Sequence, residues 1–132
     1  MTIEYRAIRA QDIEAVREFL VNLGWERVRD ARRFRTIIEG ADRTVVAFEG
    51  DRVVGFARAL CDGASNGYIS MVGVAPDRRR QGIGRGLIER LTSGEGSDRI
   101  TWILRAGHDS PAFWKRLGFE PSAIAMERVR KQ

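Results

Sequence analysis

The sequence predicts an α/β fold built on one mixed sheet, and three observations carry that expectation. Two runs of β-forming residues, 44–48 and 52–57, flank the short turn Glu49-Gly50-Asp51, which is a hairpin signal. A strand-like run over 67–74 leads through Pro76 into a helical pattern, and another strand-like run, 100–104, follows. A strand–helix–strand unit of this kind closes as a parallel, right-handed crossover. Finally, the segments read β-α-α-β-β-β-α-β-α-β, an order that mixes hairpin and crossover connections in one sheet.

The elements follow in chain order. Residues 3–8 alternate weakly and predict a first strand. Asp12 stands as an N-cap before Ile13, Val16, Leu20 and Leu23 at helical spacing, and Gly24 ends that helix. An Arg-rich helix over 32–39 carries Phe34, Ile37 and Ile38 on its apolar side. The hairpin comes next, then the strand over 67–74. Ile83, Leu87, Ile88 and Leu91 mark one face of a third helix, which Ser93-Gly94-Glu95-Gly96-Ser97 breaks. After the strand over 100–104, Pro111 suits the first turn of a last helix and Gly118 its end. A final strand is expected over 124–129.

The 132 residues are expected to form a single domain over 1–132. With 43% hydrophobic and 31% charged residues the chain can bury a core and is not disordered. No leader or membrane-spanning run is read in it. One cysteine, Cys61, excludes an internal disulfide and suits a reducing cytoplasm; with His108 as the one histidine, it also argues against a Cys/His zinc site, so no metal is expected. The net charge is +5, and only Lys115 and Lys131 are lysines, so the positive charge is almost all arginine. Such a surface attracts anions, or follows from codon bias alone.

The stretch Arg79-Arg80-Gln81-Gly82-Ile83-Gly84 concentrates the chemistry. A strand ends at Val74, a basic glycine-bearing turn follows, and a helix begins. Free backbone N–H groups, a helix N-terminus and arginines including Arg78 and Arg85 thereby meet, which suits a pyrophosphate. This R-x-x-G-x-G pattern resembles the acetyl-CoA loop of the GNAT superfamily of N-acetyltransferases. A second stretch, Ser110-Pro111-Ala112-Phe113-Trp114-Lys115-Arg116-Leu117-Gly118-Phe119, is similar to that family's A-x-x-Y-x-x-x-G-F signature. The two stand in the right order and spacing, and the resemblance covers nearly the whole chain, although the N-terminal third carries little motif information.

The resemblance implies a GNAT-like mixed, mostly antiparallel sheet of roughly six to seven strands with about four helices, and two central parallel strands splayed for CoA. It implies acetyl-CoA as acyl donor, held by Met71, Val72, Gly73 and Val74 beside the pantetheine and by Arg79, Arg80, Gln81, Gly82, Ile83, Gly84 and Arg85 at the pyrophosphate. Asp109 and Trp114 complete that set, Asp109 with helix capping as its rival role. An amide near Val74 would polarise the thioester carbonyl. Two departures from the family pattern stand out. Arg80 takes a place often held by Gly, and Trp114 the place of a Tyr thought to protonate the departing thiolate. An indole N–H donates a hydrogen bond but does not ionise usefully. The proton-handling candidates are therefore Tyr68, on the strand that ends at the cofactor, and His108, whose ordinary pKa suits base work. Asp62, Glu26 and Asp109 are further base candidates; Glu26 and Asp62, with Asp30 and Asp77, are candidates to attract a cationic amine. Each also reads as a solvated or structural side chain.

The expected activity is N-acetyl transfer to an amine-bearing small molecule or peptide by direct attack in a ternary complex. An acyl-CoA-binding domain with little or no turnover, and a tRNA-directed acetyltransferase, are the alternatives. A cytoplasmic location is expected, without membrane association; nucleic acid is not the expected partner, and homodimers are common in such a family.

Overall fold

The computed structural model describes residues 2–107 and 110–131. Five strands form one sheet: β1 (Glu4–Arg6), β2 (Arg43–Glu49), β3 (Arg52–Cys61), β4 (Asn66–Val74) and β5 (Thr101–Leu104). Their spatial order is the chain order, β1-β2-β3-β4-β5. The first three pairings are antiparallel and β4·β5 is parallel. Helices α1 (Ile13–Asn22) and α2 (Ala31–Glu39) precede the hairpin, α3 (Ile83–Leu91) makes the crossover from β4 to β5, and α4 (Pro111–Arg116) follows β5.

The mixed sheet and the helices are as expected, but the strand count is five rather than six to seven. Among the described residues, 124–129 form no strand. Ile124 and Met126 are 90% and 96% exposed, so their alternation lacks a partner strand to bury it. As a result β5 is an edge strand, and the parallel pair lies at the side of the sheet, not its centre.

The sheet separates two apolar layers. On one face Val45, Ala47, Val54, Ala57 and Ile69 pack under Ile83, Leu87, Ile88 and Leu91 of α3, with Trp114 of α4. On the other, Val46, Phe48 and Phe56 pack under Val16 and Leu20 of α1 and Phe34 and Ile38 of α2. The alternation of β2 and β3 between these layers is the period-two pattern of a sheet covered on both faces. The 3.6-residue spacing of α3 delivers all four of its marked residues to one side.

Asp30 caps α2 by accepting the Arg33 N–H at 3.1 Å. Asp12 does not cap α1. Its side chain, 7% exposed, instead accepts the Arg9 N–H at 2.8 Å and both terminal nitrogens of Arg6, at 2.5 and 3.1 Å. The Arg6 guanidinium lowers the Asp12 pKa from its ordinary value. A carboxylate lowered in this way adds stability that is complete above its unfolded pKa of about 3.9 and is lost as pH falls through the folded value. Asp12→Asn should therefore cost about 1–3 kcal/mol at neutral pH. Denaturant unfolding should show that difference shrinking once the solution is acid enough to protonate Asp12 in the folded protein.

Candidate acyl-donor cleft

β4 outruns its parallel neighbour. Pairing with β5 stops at Ile69↔Leu104, and Ser70 to Val74 continue without a β5 partner. On the β3 side, Arg58 pairs with Ser70 and Phe56 with Gly73, so Met71 and Val72 form a bulge opposite Ala57. Met71 holds φ at 63°, a left-handed conformation that a non-glycine residue adopts at a cost. Backbone donors and acceptors of this stretch are thus free to pair with a ligand, as a strand edge does.

The open end of β4 forms a cleft of about 1060 Å³ with the N-terminus of α3, the segment after β5 and one side of α4. Its apolar wall includes Ile83, Leu104, Phe113 and Trp114. Six arginines line it as well: Arg78, Arg79, Arg80, Arg85, Arg105 and Arg116. Among the described lining residues there is no Asp or Glu. Arg78, Arg85 and Arg105 pair with Glu49, Glu89 and Glu127. Arg79, Arg80 and Arg116 form no ion pair with a described residue, so these three leave positive charge on the wall that suits an anionic ligand.

The turn before α3 has two left-handed residues. Gly82 sits at φ 82° as the N-cap of α3 and makes no side-chain cap, so the first amides of the helix face outward. Arg80 has φ 64°. The backbone at this position therefore favours Gly, and Arg here carries a cost of about 1 kcal/mol. Gly84 serves a different need. A Cβ there would stand 3.0 Å from Cε1 and Cζ of Phe113, so the missing side chain lets α4 close on α3.

The sequence-predicted residues sort by position. Met71, Val72, Gly73, Val74, Arg79, Arg80, Gly82, Ile83, Gly84, Arg85, Trp114 and Tyr68 all line the cleft. Gln81 is exposed on the same turn and is not part of the wall. His108 and Asp109 lie outside the described residues. Arg78 is held by Glu49 at 2.9 Å and by Asp77 at 3.2 Å, so it fixes the turn to the β2–β3 hairpin. Asp77 is likewise taken up by Arg52 at 2.7 Å.

Asp62 and Glu26 are not among the residues that line the cleft. Asp62 sits in the β3–β4 turn, at the end of β4 away from Val74. It accepts the N–H groups of Ala64, Ser65 and Asn66 and the Ser65 hydroxyl, which hold its pKa far below the usual range. Its role is that of a turn former, not a base. Glu26 pairs with Arg29 on the loop after α1, an ion pair that lowers its pKa.

Trp114 is 7% exposed and belongs to the core, with edge-on rings at 5.0 Å from Phe113 and 5.3 Å from Phe119. It walls the cleft and holds α4 in place together. Residues missed from the sequence include Trp25, Arg105 and Arg116. Trp25 follows Gly24 at the end of α1 and reaches over Gly73, where Leu23 also packs. An aromatic directly after a helix-ending glycine was the available signal for it.

A family model described as the acetyltransferase (GNAT) domain matches residues 40–121, which hold the hairpin, α4 and the described cleft lining apart from Trp25. A serotonin N-acetyltransferase 2, chloroplastic, of Oryza sativa subsp. japonica is 32% identical over 139 residues, spanning 96% of this chain and 68% of that protein. Among solved structures, a Xanthomonas campestris pv. campestris protein assigned to the GNAT family superposes with a TM-score of 0.82 at 21% identity, over 98% of this chain and 94% of that one. An acetyltransferase of Clostridium acetobutylicum, solved with acetyl-CoA, gives a TM-score of 0.73 at 22% identity, over 97% and 96%.

Proposed function

The chain belongs to the GNAT family of acetyltransferases, and from that premise we propose that it moves an acetyl group from acetyl-CoA to an amine by direct attack in a ternary complex. The observation that carries this reading is the unpaired edge of β4 running into the uncapped N-terminus of α3. The residues fit the donor. Amides of Ile83, Gly84 and Arg85 face a pyrophosphate, with Arg79, Arg80 and Arg85 around it. The free backbone of Met71 to Val74 pairs with the amides of the pantetheine arm, and an N–H near Val74 polarises the thioester carbonyl.

In the transfer, the lone pair of a neutral amine adds to the thioester carbonyl to form the C–N bond, and the C–S bond breaks as the tetrahedral intermediate collapses. The thiolate takes the electron pair and the amine loses one proton. A thiol has an ordinary pKa of about 8.5, so its thiolate leaves readily near neutral pH. Tyr68 is the described lining residue with a phenol to protonate it, and the cleft works chiefly by positioning.

Steady-state release of free thiol from acetyl-CoA tests the reading. Release should depend on an added amine, rise with pH toward the pKa of that amine, and fall about a hundredfold in kcat in Tyr68→Phe, the low end of acid–base contributions. Tight acetyl-CoA binding without amine-dependent release would favour a binding role instead.

A further inference from the structure

Arg58 has no part in the donor site, yet its surroundings ask for a ligand. It lies on β3, pairing with Thr44 on one side and with Ser70 on the other. Val46 and Phe56, the next pair along that face, belong to the layer under α1 and α2, so strand alternation turns Arg58 to this same side. Among the described residues its guanidinium forms no ion pair. Among the described residues its Nε is fully enclosed with no hydrogen-bond partner, while the side chain as a whole is half-buried. Tyr68, and less strongly Asp42, supports its charge without a hydrogen bond, and the Asp42 carboxylate accepts the Cys61 N–H at 2.8 Å.

A charged group partly withdrawn from water with no partner is costly, and such groups are retained where a ligand satisfies them. Burial weakens the hold of this guanidinium on its proton, which is the electrostatic sign of that cost. Its neighbours show where the ligand would stand. Ser70, directly across from Arg58, and Tyr68, two residues earlier on the same face, both line the cleft. Directly paired side chains stand about 5 Å apart at their Cβ atoms, so Arg58, which is not itself part of the wall, starts beside the lining residue Ser70 next to the Met71 bulge. Ser70 pairs with Arg58 and Val74 with Gly55, three residues along β3 or about 10 Å, which separates Arg58 from the pyrophosphate turn.

We propose that Arg58 is a specificity-determining residue for the acceptor: it pairs with an oxyanion, a carboxylate or a phosphate, carried by the amine that is acetylated. This inference rests on the transferase reading, because it assigns the α1–α2 side of the cleft to the acceptor. The terminal nitrogens of Arg58 take the anion end-on, and the amine of the same molecule then points past Ser70 toward the end of β4. An acid-bearing amine thus gains a charge-assisted hydrogen bond that a neutral amine lacks.

The test is equilibrium binding by calorimetry to protein saturated with CoA, which cannot transfer an acetyl group. Two matched pairs serve as probes: tryptophan against tryptophanamide for a carboxylate, and glucosamine-6-phosphate against glucosamine for a phosphate. In at least one pair the acid should bind about 10- to 100-fold more tightly, the usual range for hydrogen bonds to charged groups. That ratio should collapse to about one in Arg58→Gln and survive in part in Arg58→Lys, while CoA affinity stays unchanged. The pair that discriminates names the source of the oxyanion. Equal binding within both pairs, or a ratio unaltered in Arg58→Gln, overturns the proposal. If Arg58→Gln does not fold, Arg58→Lys and the wild-type ratios decide. The same ratios measured without CoA stand apart from turnover, so a charge preference without thiol release would sink the transferase reading and not the role of Arg58.

Discussion

Trp114→Ala should cost about 3–5 kcal/mol of stability, the range for removing a large aromatic from a core. Trp114 is 7% exposed and joins Phe113 and Phe119 in edge-on contacts that hold α4 against α3. The space left behind would open between the cleft wall and the core, and Phe113, 3.0 Å from a Cβ at Gly84, would lose its backing. Trp114→Phe keeps most of the ring contact and should cost far less. Its thiol release should stay within a few-fold of the wild type, because an indole supplies no proton to the departing thiolate. Denaturant unfolding measures the first effect and steady-state kinetics the second. A Trp114→Phe protein that folds fully but has lost its turnover would show that the indole N–H takes part in the chemistry.

The second large effect concerns the donor. Replacing Arg79, Arg80 and Arg85 together with Gln should weaken acetyl-CoA binding about 100-fold or more, since each hydrogen bond from a charged donor contributes about 1.5 kcal/mol or more. Exposed charges act partly through a screened field, so the wild-type affinity should fall with added salt and the triple variant should respond less. Arg78→Gln is the control with a different signature. Arg78 is engaged by Glu49 and Asp77, so its loss should loosen the hairpin contact and lower stability while changing donor affinity less. Calorimetric titration at two ionic strengths separates these outcomes. An unchanged donor affinity in the triple variant would remove the arginines from the site.

Where local chemistry and tertiary packing agree, the fold was legible from the chain. Gly50 at φ 58° in the β2–β3 turn and Pro111 at the start of α4 each act through their own backbone, so their neighbours were not needed to place them. The four apolar residues of α3 announce a buried face because helical spacing alone aligns them. The strand expected over 124–129 fails for the opposite reason. A strand is stable only against a partner, and no periodicity reveals whether one is present.

The donor cleft was legible to the same degree. The glycine-bearing turn and the β4 residues lie together because the crossover must bring a strand end to a helix start. What escaped depends on contacts between distant segments. Gly84 looked like a phosphate-facing glycine, and its closest demand proves to be the Phe113 ring. The Met71 bulge needs knowledge of the β3 register, and Asp62 needed the view of its three amide partners to be read as a turn former. Arg58 escaped entirely, because a single arginine inside a strand gives no sign of which face it occupies or whether an acid waits there.

The central claim is that the free edge of β4 and the N-terminus of α3 together hold the acyl donor. Titrating CoA into the 15N-labelled protein and following backbone amide resonances tests it most directly. The largest shifts should fall on Met71 to Val74 and on Ile83 to Arg85, with Asp62 and Asp12 unmoved. CoA binding that leaves those amides in place, or a chain that does not bind CoA, would contradict it.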